Sequence, residues 1–95
     1  MSRKAIITIS SYDRESLEIL YNELISLSIE HDSYNSVSIS DLYHSDYVES
    51  KFFVDLYYTN IYESIWFATY IHNKILMNNF MNKEKVNYWF ELEDE

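Results

Sequence analysis

Neither glycine nor proline occurs anywhere in the 95 residues of this chain, and that double absence constrains the fold more than any motif. Glycine takes left-handed backbone without a Cβ penalty, and proline presets a turn dihedral. Chain reversals here must instead use Asn, Asp and Ser, which tolerate left-handed conformations or bond their own backbone. The same absence removes several kinds of chemistry. A phosphate-cradling loop of the Walker or dinucleotide type needs glycines so that the backbone can approach the anion. A hydrolase nucleophile elbow needs them for its strained turn. Neither can be built from this sequence.

Cysteine is absent as well, which removes disulfides, thiol nucleophiles and zinc–thiolate sites and fits a cytoplasmic location. No apolar run approaches the roughly 20 residues that span a bilayer. The basic N-terminus MSRKAIITIS leads into an alternating segment, not a signal-peptide core. The expectation is one soluble domain over 1–95, in the cytoplasm (a host cell's, if a phage encodes it). Apolar residues at 47% suffice for a packed core despite a formal charge of −9. The charge is uneven, with eight acids and no Lys or Arg between Glu15 and Glu49. Such a field repels nucleic acid and anionic membranes and attracts basic protein surfaces.

Periodicity divides the chain into six elements. AIITISSY (5–12) alternates as a first strand with Ile7 and Ile9 on one face. Asp13 is the N-cap of a helix to about Ile29, whose inner stripe is Leu17, Leu20, Tyr21, Leu24 and Leu27. VSISDLY (37–43) is a second strand, HSDY (44–47) a loop, and 48–58 a third strand with Phe52, Val54, Leu56 and Tyr58 facing inward. Asn60, with Glu63 three residues on, starts a helix over 60–80. Ile61, Ile65, Ala68, Ile75 and Leu76 form its expected inner stripe, with His72 as a buried polar member that would destabilise the fold on charging in acid. Trp66, Tyr70 and Met77 then fall on the opposite side, flanked by Tyr62, Phe67 and Phe80. A helix apolar nearly all round must be covered twice, by its own core and by something else. VNYWFEL (86–92) is the last strand, with Val86, Tyr88, Phe90 and Leu92 on one face, and 93–95 an acidic tail.

The order β-α-β-β-α-β resembles the ferredoxin-like fold: an α+β arrangement with a four-stranded antiparallel sheet and two helices on one face. Right-handed crossovers imply the strand order 4-1-3-2. RNA-recognition modules of this fold stack bases on aromatics of the open sheet face. Here that face carries Phe53, Tyr57 and Trp89, but strand one offers Thr8 and Ser10, the glycine-containing motif is missing, and Asp55 and Glu91 repel phosphate. Acylphosphatases share the plan, yet their anion loop depends on glycine and arginine that this chain lacks. No cofactor or metal is expected, since no His pairs with another His at ligand spacing and His44 with Asp46 and Glu49 offers at most a weak site for a hard cation. Serines and carboxylates form no recognisable catalytic pair, so the expectation is a non-enzyme.

Along the first helix, Glu15, Glu23 and Glu30 recur two turns apart, roughly 10–12 Å. Asp32, Asp41, Asp46 and Glu49 extend this acidic set. In size, acidity and Tyr/Asn/Ile bias the chain resembles small phage-encoded inhibitors of the anti-CRISPR, anti-restriction or host-takeover type. That resemblance implies stoichiometric, non-catalytic binding to a basic nucleic-acid-handling or host protein. The expected partner-binding residues are Trp66, Tyr70, Met77 and Tyr62 with the seven acids just named, the acids steering encounter and the aromatics anchoring. A homodimer through the second helix is the other use for its aromatics. An RNA- or single-strand-binding module, or a ligand-sensing domain, is the alternative function.

Overall fold

Six elements form in the expected order. The structure, a computed structural model, describes residues 3–31, 36–82 and 84–94. They are β1 (Arg3–Ser11), α1 (Arg14–Glu30), β2 (Val37–Ile39), β3 (Ser50–Tyr57), α2 (Ile61–Met81) and β4 (Asn87–Asp94). All strand pairs are antiparallel and the sheet order is β2-β3-β1-β4. This is the ferredoxin-like 4-1-3-2 arrangement.

Alternation along the strands sorts residues between the two sheet faces. Ala5, Ile7 and Ile9 of β1 join Phe52, Val54 and Leu56 of β3 beneath the helices, all buried. Leu17, Leu20 and Leu24 of α1 close over them, and Tyr21 meets Phe52 edge-on with centroids 5.1 Å apart. Both helices start where polar side chains can cap them. The Asp13 carboxylate accepts from the Ser16 N–H (3.5 Å) and hydroxyl (2.7 Å), and Asn60 Oδ1 accepts from the Glu63 N–H at 3.1 Å.

The turn chemistry follows from the missing glycine and proline. Ser45 Oγ accepts from the N–H groups of Tyr47 and Val48, both at 3.2 Å. Asn79 holds the far end of α2 against the last strand, donating to the Val86 carbonyl (2.9 Å) and accepting from the Val86 N–H (2.8 Å). The fully buried Ser11 accepts from the Asp13 N–H (3.0 Å) and donates to the Lys85 carbonyl (3.0 Å).

Four expectations are corrected. The second strand does not run unbroken to 43. The Ser40 N–H reaches the Phe53 carbonyl, but the Phe53 N–H turns to the Ser40 hydroxyl, and pairing resumes only at Tyr43–Lys51. Asp41 and Leu42 thus stand opposite Phe52 alone, a bulge that ends the regular strand. Tyr58 lies beyond the end of β3 and is exposed, not inward. Glu93 and Asp94 are not a tail but the end of β4, paired with Lys4 and Arg3.

The fourth correction concerns the phase of α2. Its buried residues are Ser64, Phe67, Ile71 and Ile75, while Ile61, Ile65 and Leu76 are exposed. The true core stripe is turned by about one residue, or 100°, from the expected one. Ser64 occupies a core position because its hydroxyl donates to the Tyr57 carbonyl at 2.6 Å, which satisfies it. His72 is exposed, not buried, with Nδ1 against the Tyr88 hydroxyl. The expectation of a buried histidine in the core stripe is therefore overturned.

Candidate protein-interaction surface

Of the aromatics expected to face a partner, Trp66 and Tyr70 lie along the seam between the helices. Trp66 stacks on Tyr70 with centroids 5.6 Å apart, and the His31 ring lies 4.7 Å away on α1's C-cap. The Tyr70 hydroxyl donates to Glu23 Oε1 at 2.8 Å, and Lys74 Nζ meets the same oxygen at 2.8 Å. Partial burial works to raise the Glu23 carboxyl, but hydrogen bonds from Lys74 and Tyr70 outweigh it and hold the group below its ordinary pKa. Burial, then the bond to Glu23, pushes the Tyr70 hydroxyl up. The Glu23 hydrogen bond likewise raises Lys74. Of the second covering that α2 demanded, α1 thus supplies the share over Tyr70 and one side of Trp66. Trp66 remains partly open, and Tyr62 and Met77 are exposed.

The acids do not share one face. Glu15 and Glu30 are exposed on α1, whereas Glu23 is tied into the seam. Asp46 pairs with Arg14 at 3.4 Å, and Arg14 Nε donates to His44 Nδ1 while His44 Nε2 lies 3.2 Å from Glu18. Glu49 sits at one end of the open sheet face, accepting from the Ser10 hydroxyl (2.7 Å) and the Asn87 amide (3.4 Å). Asp41 is exposed on the bulge, and Asp32 falls outside the described residues. His44 and Asp46 share Arg14 while Glu49 is held by Ser10 and Asn87, and no metal-holding group of three or more His, Cys, Asp or Glu occurs among the described residues.

The open sheet face brings Phe53, Thr8 and Trp89 into one row across β3, β1 and β4. Thr8 is buried between its neighbours. Around the row lie charges of both signs. Lys4 bonds Asp55 at 3.1 Å and stands 4.0 Å from Glu93, and the Asp55 hydrogen bond raises its pKa. Lys51 lies over the Phe53 ring, and the Trp89 indole donates to Glu91 at 2.7 Å.

Periodicity places a fourth surface in the core, whereas the structure leaves it open. The flank of α2 facing β4 leaves an apolar cavity of about 240 Å³, floored by Ala5, Leu56 and Ala68 and walled by Ile61, Ile65 and Phe90. Leu92 continues the strand side of this flank and is 69% exposed, and Phe90 is 51% exposed. The alternation of β4 places both on the helix side, as expected, but α2 does not reach far enough to cover them. Nothing in the strand's pattern signals this, since Glu91 and Glu93 alternate with Phe90 and Leu92 as in any strand buried on one face.

No protein-family model matches the chain, and no curated protein matches it in sequence. Two solved structures are similar across nearly their full lengths. One is the de novo designed protein Foldit4, with a TM-score of 0.59 and 14% identity, covering 99% of this chain and 100% of that one. The other is a solution NMR structure of the de novo designed protein LFR1 1 with ferredoxin fold, with a TM-score of 0.52 and 12% identity, covering 100% of this chain and 87% of that one. At such identities the likeness concerns the fold alone. No helix among the described residues is long and apolar enough to cross a membrane.

Proposed function

We propose that this chain is a small, acidic, non-catalytic protein-binding module. Its partner is a basic nucleic-acid-handling or host protein that it occupies and blocks, in the manner of phage-encoded anti-defence inhibitors. The observation that carries this reading is the exposed apolar flank of α2 and β4, set directly beside carboxylates. Apolar side chains supply a desolvated anchor, and the surrounding acids steer a basic partner and reject nucleic acid. The net charge of −9 extends that steering field over the molecule.

Affinity capture from the cell in which the protein naturally acts, repeated across a salt series, tests this reading. A basic protein should be retained at low ionic strength and released steeply as salt rises. Retention indifferent to salt contradicts the electrostatic half of the reading, and capture of nucleic acid alone contradicts all of it.

A second reading rests on the Phe53–Thr8–Trp89 row, which sets two aromatic rings on the open sheet face, the kind of surface on which single-stranded bases stack. Titration with mixed-sequence oligonucleotides at low salt would then quench Trp89 fluorescence. Unchanged emission at high micromolar oligonucleotide eliminates it.

A further inference from the structure

Resting on the protein-binding reading above, we infer that the free edge of β4 accepts an extended segment of a partner chain in which apolar and basic side chains alternate. The two edges of the sheet are unequal. At one end β2 offers three residues and then a bulge, whereas at the other β4 runs for eight. A long edge is a template for strand addition unless something blunts it. β4 is blunted only by charge of one sign, since its sequence NYWFELED holds three acids and no Lys or Arg.

The two faces of that edge differ in chemistry. A strand added beside β4 sends successive side chains to opposite faces. On the helix side they meet Phe90 and Leu92 and the cavity walled by Ile61 and Ile65, so this set must be apolar. On the open side they meet Glu91 and Glu93. Lys4 bonds Asp55 more closely than Glu93, at 3.1 against 4.0 Å, and Glu91 accepts from the neutral Trp89 indole. Those carboxylates favour Lys or Arg from the incoming strand. Alternation of apolar and basic residues satisfies both faces in a single register.

A second copy of this chain is the poorer occupant. Antiparallel β4–β4 pairing gathers three carboxylates from each strand on one short ladder, with no cation from either strand to meet them.

The test uses the full chain and fluorescently labelled peptides of about nine residues, a length that matches the edge. One alternates valine with lysine. A second has the same sequence with N-methyl groups along one edge, which removes the ladder donors without changing charge. A third alternates valine with glutamate. Fluorescence anisotropy should show the first peptide binding, the second weaker by about tenfold or more, and the third not at all. The double variant E91K/E93K should reverse the preference toward the glutamate peptide. Ile65→Asp, at an exposed position that leaves the core intact, should weaken the lysine peptide by about tenfold. Circular dichroism confirms that both variants are folded.

Equal binding of the N-methylated peptide would show attraction by charge alone and overturn strand addition. A dimer at low salt that the lysine peptide fails to dissociate overturns it in favour of a second copy. A cellular partner captured equally by wild type, E91K/E93K and Ile65→Asp also overturns it, while leaving the protein-binding reading intact. The expected peptide preferences with no cellular partner captured support the edge site but remove the inhibitory role proposed for it.

Discussion

Glu23 shows how one residue's role changes once its neighbours are placed. On a helical wheel it belongs to a line of acids with Glu15 and Glu30, but in the fold it accepts from Tyr70 and pairs with Lys74. Because its folded pKa lies below the ordinary value, its contribution is present above about pH 4.3 and is lost as pH falls through the folded value. Tyr70 and Lys74 are raised, so their contributions are present below their ordinary values, near 10, and are lost as pH rises through the folded ones. The pair is more than a third exposed, which limits the energy. Glu23→Gln should destabilise the protein at neutral pH by at most about 1 kcal/mol, and the difference should close toward pH 3. Urea denaturation at both pH values checks this, and an equal loss at each would assign the effect to packing.

At the scale of the element, α2 decides most of the architecture. Phe67 is fully buried at its contact with the sheet, while Leu76, on the stripe that periodicity favoured, is 56% exposed. Phe67→Ala should therefore cost about 3–5 kcal/mol, a large share of the stability of so small a domain. Leu76→Ala should cost less than about 1 kcal/mol. Guanidinium midpoints for the two variants discriminate the observed helix phase from the expected one, which reverses their order. Removing the cap with Asn60→Ala should cost about 1 kcal/mol, through the orphaned Glu63 N–H. The same element explains why the apolar flank exists. Turned to bury Phe67 and Ile71, α2 leaves Ile61 and Ile65 above the cavity beside Phe90.

At the scale of the whole molecule, charge governs association. A protein at −9 repels its own copies at low ionic strength, and the carboxylates of β4 add local repulsion at the edge where apolar contact is available. Light scattering coupled to size exclusion should find a monomer at low salt. At about 1 M salt, where the Debye length falls to about 3 Å, the exposed flank should drive self-association. A dimer at low salt that dissociates as salt rises would contradict this and place an ion-paired interface elsewhere on the surface.

Element order, both N-caps, the inward faces of β1 and β3, and the reliance of turns on Asn and Ser are all legible in the linear chain. These are local matters, set by the period of apolar residues and by side chains that bond backbone within a few positions. The phase of α2, by contrast, is settled by packing against the sheet. A helix carrying large apolar groups on nearly every side has no unique moment, and its orientation depends on which side chains fit the sheet. There Ser64 fits as a satisfied polar contact, and Ile65 does not enter the core. The interruption of β2 at Ser40 rests on a hydroxyl in place of a carbonyl, which no periodicity records. The acids likewise gained their separate roles only from distant partners, Glu23 from α2 and Glu49 from β1. The open edge of β4 belongs to the same class. Alternation identified its two faces, but exposure was decided by how far α2 extends across it.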